Sequence, residues 1–203
     1  ILWGRGMEVI HTEGGVRYMF DVATIMFSSG NLPERTSIAS KIRDGAVVVD
    51  LFAGIGYFTL PIAVHAKAER IYACELNPVA YHYLRENLRL NRTSNVVPLP
   101  GDCRETAPRA VADVVVMGHF SARDYLDVAF QCLRGSGLLM YHELCPKEQF
   151  PMLPVQHLTQ TAAHHWYDVE SVASRIVKSY APGIVHAILE AHAVRRPKAP
   201  TTR

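Results

Sequence analysis

A run of β-branched residues that leads directly into a glycine-containing turn constrains the fold most. Residues 46–51 read Ala-Val-Val-Val-Asp-Leu, a run typical of a strand buried on both faces of a parallel sheet. Residues 50–58 continue the chain as Asp-Leu-Phe-Ala-Gly-Ile-Gly-Tyr-Phe. Gly54 and Gly56 allow a tight turn, and the helix that follows points its free amide groups at whatever lies in front of it. The sequence therefore predicts a strand–turn–helix unit, either as a bare tight turn or as a ligand site.

Strands and helices alternate after this unit. Helices are predicted for residues 56–66 and 125–133, and a third begins at Asn77 and Pro78. The predicted strands that they separate are residues 70–75, 95–99, 113–117 and 137–142. Residues 166–179 and 184–194 add two antiparallel strands at the carboxyl-terminal end. The alternation predicts an α/β fold, doubly wound, with a mostly parallel, Rossmann-like seven-stranded sheet and an antiparallel C-terminal strand.

The chain before and after this sheet has a different character. Residues 8–11 and 16–20 predict a small N-terminal β-hairpin, and Asn31 is expected to cap a helix that reaches Ile42. Residues 148–163 predict a helix broken by Pro151 and Pro154. We therefore expect a hairpin and linking helix in residues 1–43, a main domain in 44–194 and a loose basic tail in 195–203. The first residue is not methionine, so we expect an N-terminal part to be missing.

Composition excludes several classes of protein. Of the 203 residues, 49% are hydrophobic and 20% charged, which is ordinary for one globular domain. No apolar run reaches about 18 residues, and no signal peptide is visible. The four cysteines form no CxxC pair, which favours free thiols, a cytoplasmic location and no metal site. The net charge of +2 is compatible with RNA binding, and we expect a monomer.

Acidic residues follow two of the predicted strands. Glu75 lies about 20 residues after the glycines, where a carboxylate can accept hydrogen bonds from both hydroxyls of a ribose. Asp102 and Cys103 follow the next strand, where an acid can accept from an adenine amino group. Dinucleotide enzymes have a third glycine in the turn, whereas bulky residues follow Gly56 here. Together these features resemble the class I S-adenosylmethionine-dependent transferases.

Further motifs narrow the resemblance to one family. They are Phe27-Ser28-Ser29-Gly30-Asn31 with Glu34-Arg35, the turn at 50–58, Glu75-Leu76-Asn77-Pro78, Val116-Met117-Gly118, Lys178-Ser179-Tyr180-Ala181-Pro182-Gly183 and His186. As a set they are similar to the group that joins the tRNA guanine-N1 methyltransferases to the aminocarboxypropyltransferase of wybutosine synthesis. The resemblance covers residues 9–192. It implies tRNA as the partner, S-adenosylmethionine as the group donor and an N-terminal part that helps to grip the tRNA.

Two activities within that family compete. The methyltransferases carry an Asn-Pro type motif after the fourth strand, whereas this chain reads Met117-Gly118-His119-Phe120. Met117-Gly118 and His142-Glu143 resemble the wybutosine branch, so transfer of the 3-amino-3-carboxypropyl group is favoured over methyl transfer. The acceptor implied is a tricyclic guanine derivative beside the anticodon of phenylalanine tRNA, and the by-product is 5′-methylthioadenosine. A degenerate fold that binds RNA or a protein partner without catalysis is a third reading.

The resemblance also implies roles for individual residues. Arg35 is expected to pair with the methionine carboxylate of the cofactor, and Glu75 to hold its ribose. His119 and Phe120 are expected where the target base enters, with His142 and Glu143 as further catalytic candidates on the base side. The predicted cofactor-binding residues are Ser28, Arg35, Asp50, Phe52, Ala53, Gly54, Gly56, Glu75, Leu76, Asn77, Asp102 and Cys103.

Overall fold

The computed structural model describes residues 7–28 and 31–197, which divide into two compact units. The first unit is Ile1–Pro108 and the second is Arg109–Arg203. The first contains, in chain order, β1 (Glu8–Glu13), β2 (Val16–Asp21), α1 (Leu32–Ser37), β3 (Val47–Asp50), α2 (Thr59–His65), β4 (Arg70–Glu75), α3 (Pro78–Leu90), β5 (Val96–Pro100) and α4 (Cys103–Thr106). The second contains β6 (Ala112–Met117), α5 (Leu126–Cys132), β7 (Leu133–Pro146), α6 (Met152–His164), β8 (Tyr167–Ala181) and β9 (Ile184–Arg195).

The first unit combines the predicted hairpin with three parallel strands. β1 and β2 pair antiparallel, and the parallel strands lie in the order β5-β4-β3. Every residue of β3 is buried, as expected from its β-branched run. The helix α3 begins at Asn77 and Pro78 as predicted, and Asn77 caps it because its side-chain oxygen accepts from the amides of Val79 and Ala80. The carboxyl ends of β3, β4 and β5 thus carry Asp50, Glu75 and, just beyond Pro100, Asp102.

Four strands in the order β6-β7-β9-β8 form the sheet of the second unit. β6 and β7 are parallel, whereas β9 is antiparallel to both β7 and β8. With three parallel strands in the first unit and four strands in the second, of which β9 is antiparallel, the chain has seven strands in its α/β layers, and the predicted fold class is confirmed. The predicted boundary between residues 43 and 44 stays a prediction.

Several local expectations differ from the structure. α6 runs unbroken from Met152 to His164, so the predicted break at Pro154 is wrong: this proline lies in the first turn, where amides have no partner within the helix. α1 ends at Ser37, and a 3₁₀ turn carries the chain to Lys41. Asn31 occupies the cap position of α1 without the expected side-chain cap bond.

The basic tail is attached at its beginning. Arg195 ends β9, and the Arg196 amide donates to the Trp166 carbonyl at 2.7 Å. The Arg196 guanidinium also contacts Asp168 at 2.9 Å. The remainder of the tail, from Lys198, lies outside the described residues. Within the described ranges, every helix is too short or too polar to cross a membrane.

Two asparagines of α3 hold the hairpin of the first unit. Asn87 is fully buried, accepts from the Met19 amide at 2.6 Å and donates to the Met19 carbonyl at 3.1 Å. Asn91, one turn later, makes the same pair of bonds with Arg17, at 2.9 and 2.6 Å. Asn87 also donates to the Ile55 carbonyl at 3.0 Å. One side chain of α3, Asn87, therefore joins β2 to the glycine turn by hydrogen bonds to main-chain groups of both.

Candidate functional site

The glycine turn after β3 adopts a backbone that other residues rarely reach. Gly54 has a φ of 57° and Gly56 a φ of 104°. A β-carbon at Gly54 would lie 2.7 Å from the Tyr57 ring, and one at Gly56 would lie 2.7 Å from the Leu60 side chain. The predicted need for glycine at both positions therefore has a steric reason, and the short turn lets the main chain approach a ligand closely.

Asp50 stabilises this turn from inside the protein. Its carboxylate is fully buried, accepts from the Thr59 hydroxyl at 2.7 Å and from the Phe52 amide at 3.2 Å. Burial raises the pKa of Asp50 from an ordinary 3.8 to about 6, against the opposing effect of the Thr59 hydrogen bond. Both carboxylate oxygens are thus engaged at the base of the turn, which also carries the buried Ala53.

The raised pKa of Asp50 predicts a pH-dependent effect on stability. Its folded pKa lies above the unfolded value, so its contribution is fully present below about pH 4 and is lost as the pH rises through about 6. Asp50→Asn removes this titration. We expect the free energy of unfolding of the variant, relative to wild type, to rise by about 2 kcal/mol between pH 4 and pH 7.5. Urea unfolding measures this difference, and the exposed Asp44→Asn serves as control; a difference that does not vary with pH contradicts the prediction.

Glu75 stands at the end of β4 with both carboxylate oxygens fixed by main-chain amides. The Gly54 amide donates to Oε2 at 2.7 Å, and the Asn77 amide donates to Oε1 at 2.7 Å. Each carboxylate oxygen can accept a further hydrogen bond beyond its backbone partner. The half-buried carboxylate therefore presents two adjacent acceptors, the arrangement that the two hydroxyls of a ribose require.

Three of the predicted cofactor-binding residues, Leu76, Asp102 and Cys103, lie just beyond the carboxyl ends of β4 and β5. Leu76 is 65% exposed directly after Glu75, so its side chain is available to cover an apolar ring face. Asp102 caps α4 by accepting from the Arg104 amide at 2.8 Å, and it also pairs with the Arg104 guanidinium. This arginine lowers the pKa of Asp102, which stays an ionised acceptor. Cys103 is buried at the start of α4.

Arg35 binds another residue of the chain through most of its guanidinium. It is 2% exposed and donates to the two Glu13 carboxylate oxygens at 2.6 and 2.8 Å. A third bond, of 2.8 Å, goes to the Ser28 carbonyl, and the guanidinium lies 4.6 Å from the centre of the Phe27 ring. Arg35 therefore fixes the segment around Ser28, and Glu13 fixes Arg35. Sequence reasoning missed Glu13, which lies in the hairpin far from any cofactor motif.

This geometry predicts that Glu13 influences cofactor binding without touching the cofactor. Glu13→Gln leaves Arg35 with a single acceptor at that position and loosens the Ser28 segment. We expect the dissociation constant for S-adenosylmethionine to rise about fivefold, measured by calorimetry, with the exposed Glu69→Gln as control. If Arg35 instead binds the methionine carboxylate directly, removing its competitor leaves the affinity unchanged or tighter, which would contradict the prediction.

An aromatic cluster connects these elements, and the sequence motifs did not reveal it. Phe27 stacks on Phe20, with ring centres 5.3 Å apart, and contacts Tyr18 and Tyr57 at 5.2 and 5.6 Å. The Tyr57 hydroxyl donates to the Met26 carbonyl at 2.6 Å, and burial raises its pKa to about 12. Tyr57 therefore joins the glycine turn to the segment that contains Ser28.

The second unit separates the base-side candidates. His142 is buried and its Nδ1 lies 3.1 Å from Nε2 of His186 on β9. The Phe120 ring meets the His186 ring edge-on, with centres 4.9 Å apart. His119 is exposed, and its Nδ1 accepts from the Ser121 amide at 3.1 Å. His142 and Phe120 therefore belong to one cluster, with His119 beside it.

Glu143 lies on the opposite face of β7 from His142, because successive side chains of a strand alternate. Its carboxylate accepts from the Tyr141 hydroxyl and contacts Nδ1 of His157 on α6 at 2.9 Å. Burial and this carboxylate both raise the pKa of Tyr141. Glu143 thus joins strand to helix, and the structure does not place it with His142. Among residues 7–28 and 31–197, no three His, Cys, Asp or Glu side chains come close enough together to hold a metal ion.

Comparison with known proteins decides the family. The model of the TRM5/TYW2 methyltransferase domain matches residues 9–170. The chain belongs to the TRM5/TYW2 family. Within it, the chain is 41% identical over 192 residues to the tRNA(Phe) (4-demethylwyosine(37)-C(7)) aminocarboxypropyltransferase of Methanocaldococcus jannaschii, covering 94% of this chain and 77% of that protein. It is 34% identical over 175 residues to the tRNA (guanine(37)-N(1))-methyltransferase Trm5b of Pyrococcus abyssi, covering 86% of this chain and 52% of that one.

A solved structure of the TRM5/TYW2 family agrees with this assignment. The crystal structure of M. jannaschii TYW2 in complex with AdoMet superposes with a TM-score of 0.93 at 41% identity, covering 96% of this chain and 90% of that chain. The resemblance inferred from the motifs is therefore confirmed for both the family and the fold.

Proposed function

We propose that this chain transfers the 3-amino-3-carboxypropyl group of S-adenosylmethionine to a tricyclic guanine derivative beside the anticodon of phenylalanine tRNA. It is a transferase, and S-adenosylmethionine is its group donor. The observation that carries the proposal is the 41% identity to the M. jannaschii aminocarboxypropyltransferase across 94% of the chain. The glycine turn and the paired acceptors of Glu75 support binding of a ribose-containing donor.

The reaction balances without any further co-reactant. A bond forms between the acceptor carbon of the base and the γ-carbon of the methionine arm, and the bond from that carbon to sulfur breaks. The electron pair of the broken bond stays on sulfur, which neutralises the sulfonium and yields 5′-methylthioadenosine. The acceptor carbon loses a proton to restore the aromatic ring. Because the sulfonium activates several carbons, the carbon that lies in line with the acceptor determines the product.

The proposal gives roles to individual residues. Glu75 holds the ribose, Asp102 and Cys103 flank the adenine, and the turn with Gly54 and Gly56 lets the main chain approach the donor. On the base side, His119 and His142 are the catalytic candidates. Since Glu143 is engaged with Tyr141 and His157 on the other face of β7, we assign it to positioning of the strand.

The deciding experiment incubates the protein with S-adenosylmethionine and precursor tRNA and weighs the modified base by mass spectrometry. We expect a gain of about 101 mass units, the group that replaces hydrogen when the γ-carbon is in line, whereas methyl transfer adds about 14. Methyl transfer is the second candidate, favoured by the 34% identity to Trm5b. A thermal shift with S-adenosylmethionine tests the non-catalytic reading, because a ligand of the native state raises its melting temperature. No mass gain together with no shift would contradict the proposed function.

We further infer a cytoplasmic location and a monomeric state. All four cysteines are free thiols, which favours a reducing compartment. Light scattering of the purified protein tests the monomer, and fractionation of cells that express it tests the location. A dimer mass or recovery with membranes would contradict the respective inference.

A further inference from the structure

Tyr180, near the end of β8, is an exposed aromatic residue that packs against other aromatic rings. Its side chain is 54% exposed, and its ring meets the Phe120 ring edge-on, with centres 5.1 Å apart. Phe120 in turn meets His186 edge-on, and His186 contacts the buried His142. A single exposed tyrosine needs no explanation on a protein surface. In contrast, a series of four rings in contact, which extends from the buried His142 to the exposed Tyr180, calls for an explanation.

The two histidines at the base of this chain make its geometry specific. Burying two imidazoles is costly unless their nitrogens are paired, and here His186 Nε2 and His142 Nδ1 lie 3.1 Å apart. For one nitrogen to donate to the other, at least one of the two must carry no proton. The pair therefore fixes the orientation of the His186 ring, against which Phe120 packs.

The position of this ring cluster at one end of the sheet in the second unit indicates that it lies at a ligand-binding edge. Phe120 follows the carboxyl end of β6, and Tyr141, which precedes His142, pairs with Met117 at that same end. Ligands of doubly wound sheets bind beyond the carboxyl ends of the parallel strands. Exposed aromatic rings are the usual platform for an unstacked nucleic-acid base, and their stacking tolerates different bases.

We propose that Tyr180 and Phe120 form a stacking platform for the acceptor base, and that the His142–His186 pair is a positioning element beneath it. The proposal rests on the proposed function for the identity of the RNA. The binding energy comes from stacking of the base on the exposed part of the Tyr180 ring. The buried pair contributes by holding Phe120, and thereby Tyr180, in one orientation.

The test compares two RNA hairpins of the anticodon-arm type, one with a guanine at the acceptor position and one abasic there. We expect Tyr180→Ala to weaken binding of the guanine RNA about tenfold and to leave binding of the abasic RNA unchanged. Tyr180→Phe keeps the ring face and should stay within about twofold of wild type. Trp166→Ala is the matched control, because Trp166 is 66% exposed and precedes the opposite end of β8.

The ratio of the two affinities is the measure of base recognition. For His186→Gln we expect this ratio to fall while binding of S-adenosylmethionine persists, which a general loss of folding would not produce. A wild-type protein without preference for the guanine RNA, or a Tyr180→Ala variant that loses both RNAs equally, overturns the platform. The mass measurement separates the two proposals. If wild type transfers the group but Tyr180→Ala keeps the wild-type ratio of affinities, the platform alone is rejected. If Tyr180→Ala lowers the ratio but wild type transfers no group, the proposed reaction alone is rejected.

Discussion

Replacing Glu75 with alanine is expected to weaken binding of S-adenosylmethionine about 100-fold or more, because the proposed role of Glu75 gives it two charge-assisted hydrogen bonds to the ribose, which would be lost together. The substitution also removes the acceptor of the Gly54 and Asn77 amides, so the turn loses part of its support. Calorimetric titration with S-adenosylmethionine measures the change. Of the substitutions considered, this one has the largest expected effect on the affinity for S-adenosylmethionine.

The matching control is Asp44→Ala, which removes an exposed acid of the same unit that lies 3.3 Å from the Lys67 ammonium. Its affinity for S-adenosylmethionine should equal that of wild type. Glu75→Gln removes the charge but keeps the shape of the side chain, and its amide oxygen can still accept a hydrogen bond. The affinity of this variant for S-adenosylmethionine should fall between those of Glu75→Ala and wild type. Unaltered affinity in Glu75→Ala would remove the ribose assignment.

The largest expected effect on stability comes from Asn87→Ala. Removing this side chain leaves the buried Ile55 carbonyl and the partly buried Met19 amide and carbonyl without their partner. Unsatisfied buried groups of this kind cost about 1–3 kcal/mol each, and we expect a total loss of about 3–4 kcal/mol in the free energy of unfolding. Urea unfolding followed by circular dichroism measures it.

Asn91→Ala provides the comparison for Asn87. Asn91 makes the same pair of contacts with Arg17, but those hydrogen bonds lie at the exposed end of the helix, where water can replace the side chain. We expect a loss of about 1 kcal/mol or less. Equal losses in the two variants would show that burial of the main-chain groups is not what makes Asn87 important.

Local patterns were sufficient to predict the core of the candidate site. The β-branched run, the two glycines and the acid at the end of β4 each lie within a short stretch of sequence. Their consequence depends only on strand and helix geometry. Asn77 is a similar case, because asparagine is preferred at the cap position of a helix and proline at its first position.

Local sequence patterns could not predict the contacts between residues that are distant in the sequence. Glu13 and Arg35 meet across 22 positions of sequence, and Asn87 reaches Met19 across 68, with no local signal for either pairing. The sequence could have predicted that His142 and Glu143 lie on opposite faces of β7, because neighbouring side chains on a strand point to opposite sides. The sequence still could not show that α6 brings His157 to one face and β9 brings His186 to the other.

The asparagines of α3 recognise the hairpin by its main chain, and this has a consequence for how the hairpin can vary. Their partners at Met19 and Arg17 are an amide and a carbonyl, which any residue except proline offers. These main-chain bonds therefore require the path of the strand at positions 17 and 19, but they do not require particular side chains there. Exchange of the hairpin with that of a distant relative should succeed where the incoming hairpin keeps this strand path, an acid at position 13 for Arg35, and aromatic residues at positions 18 and 20 for Phe27.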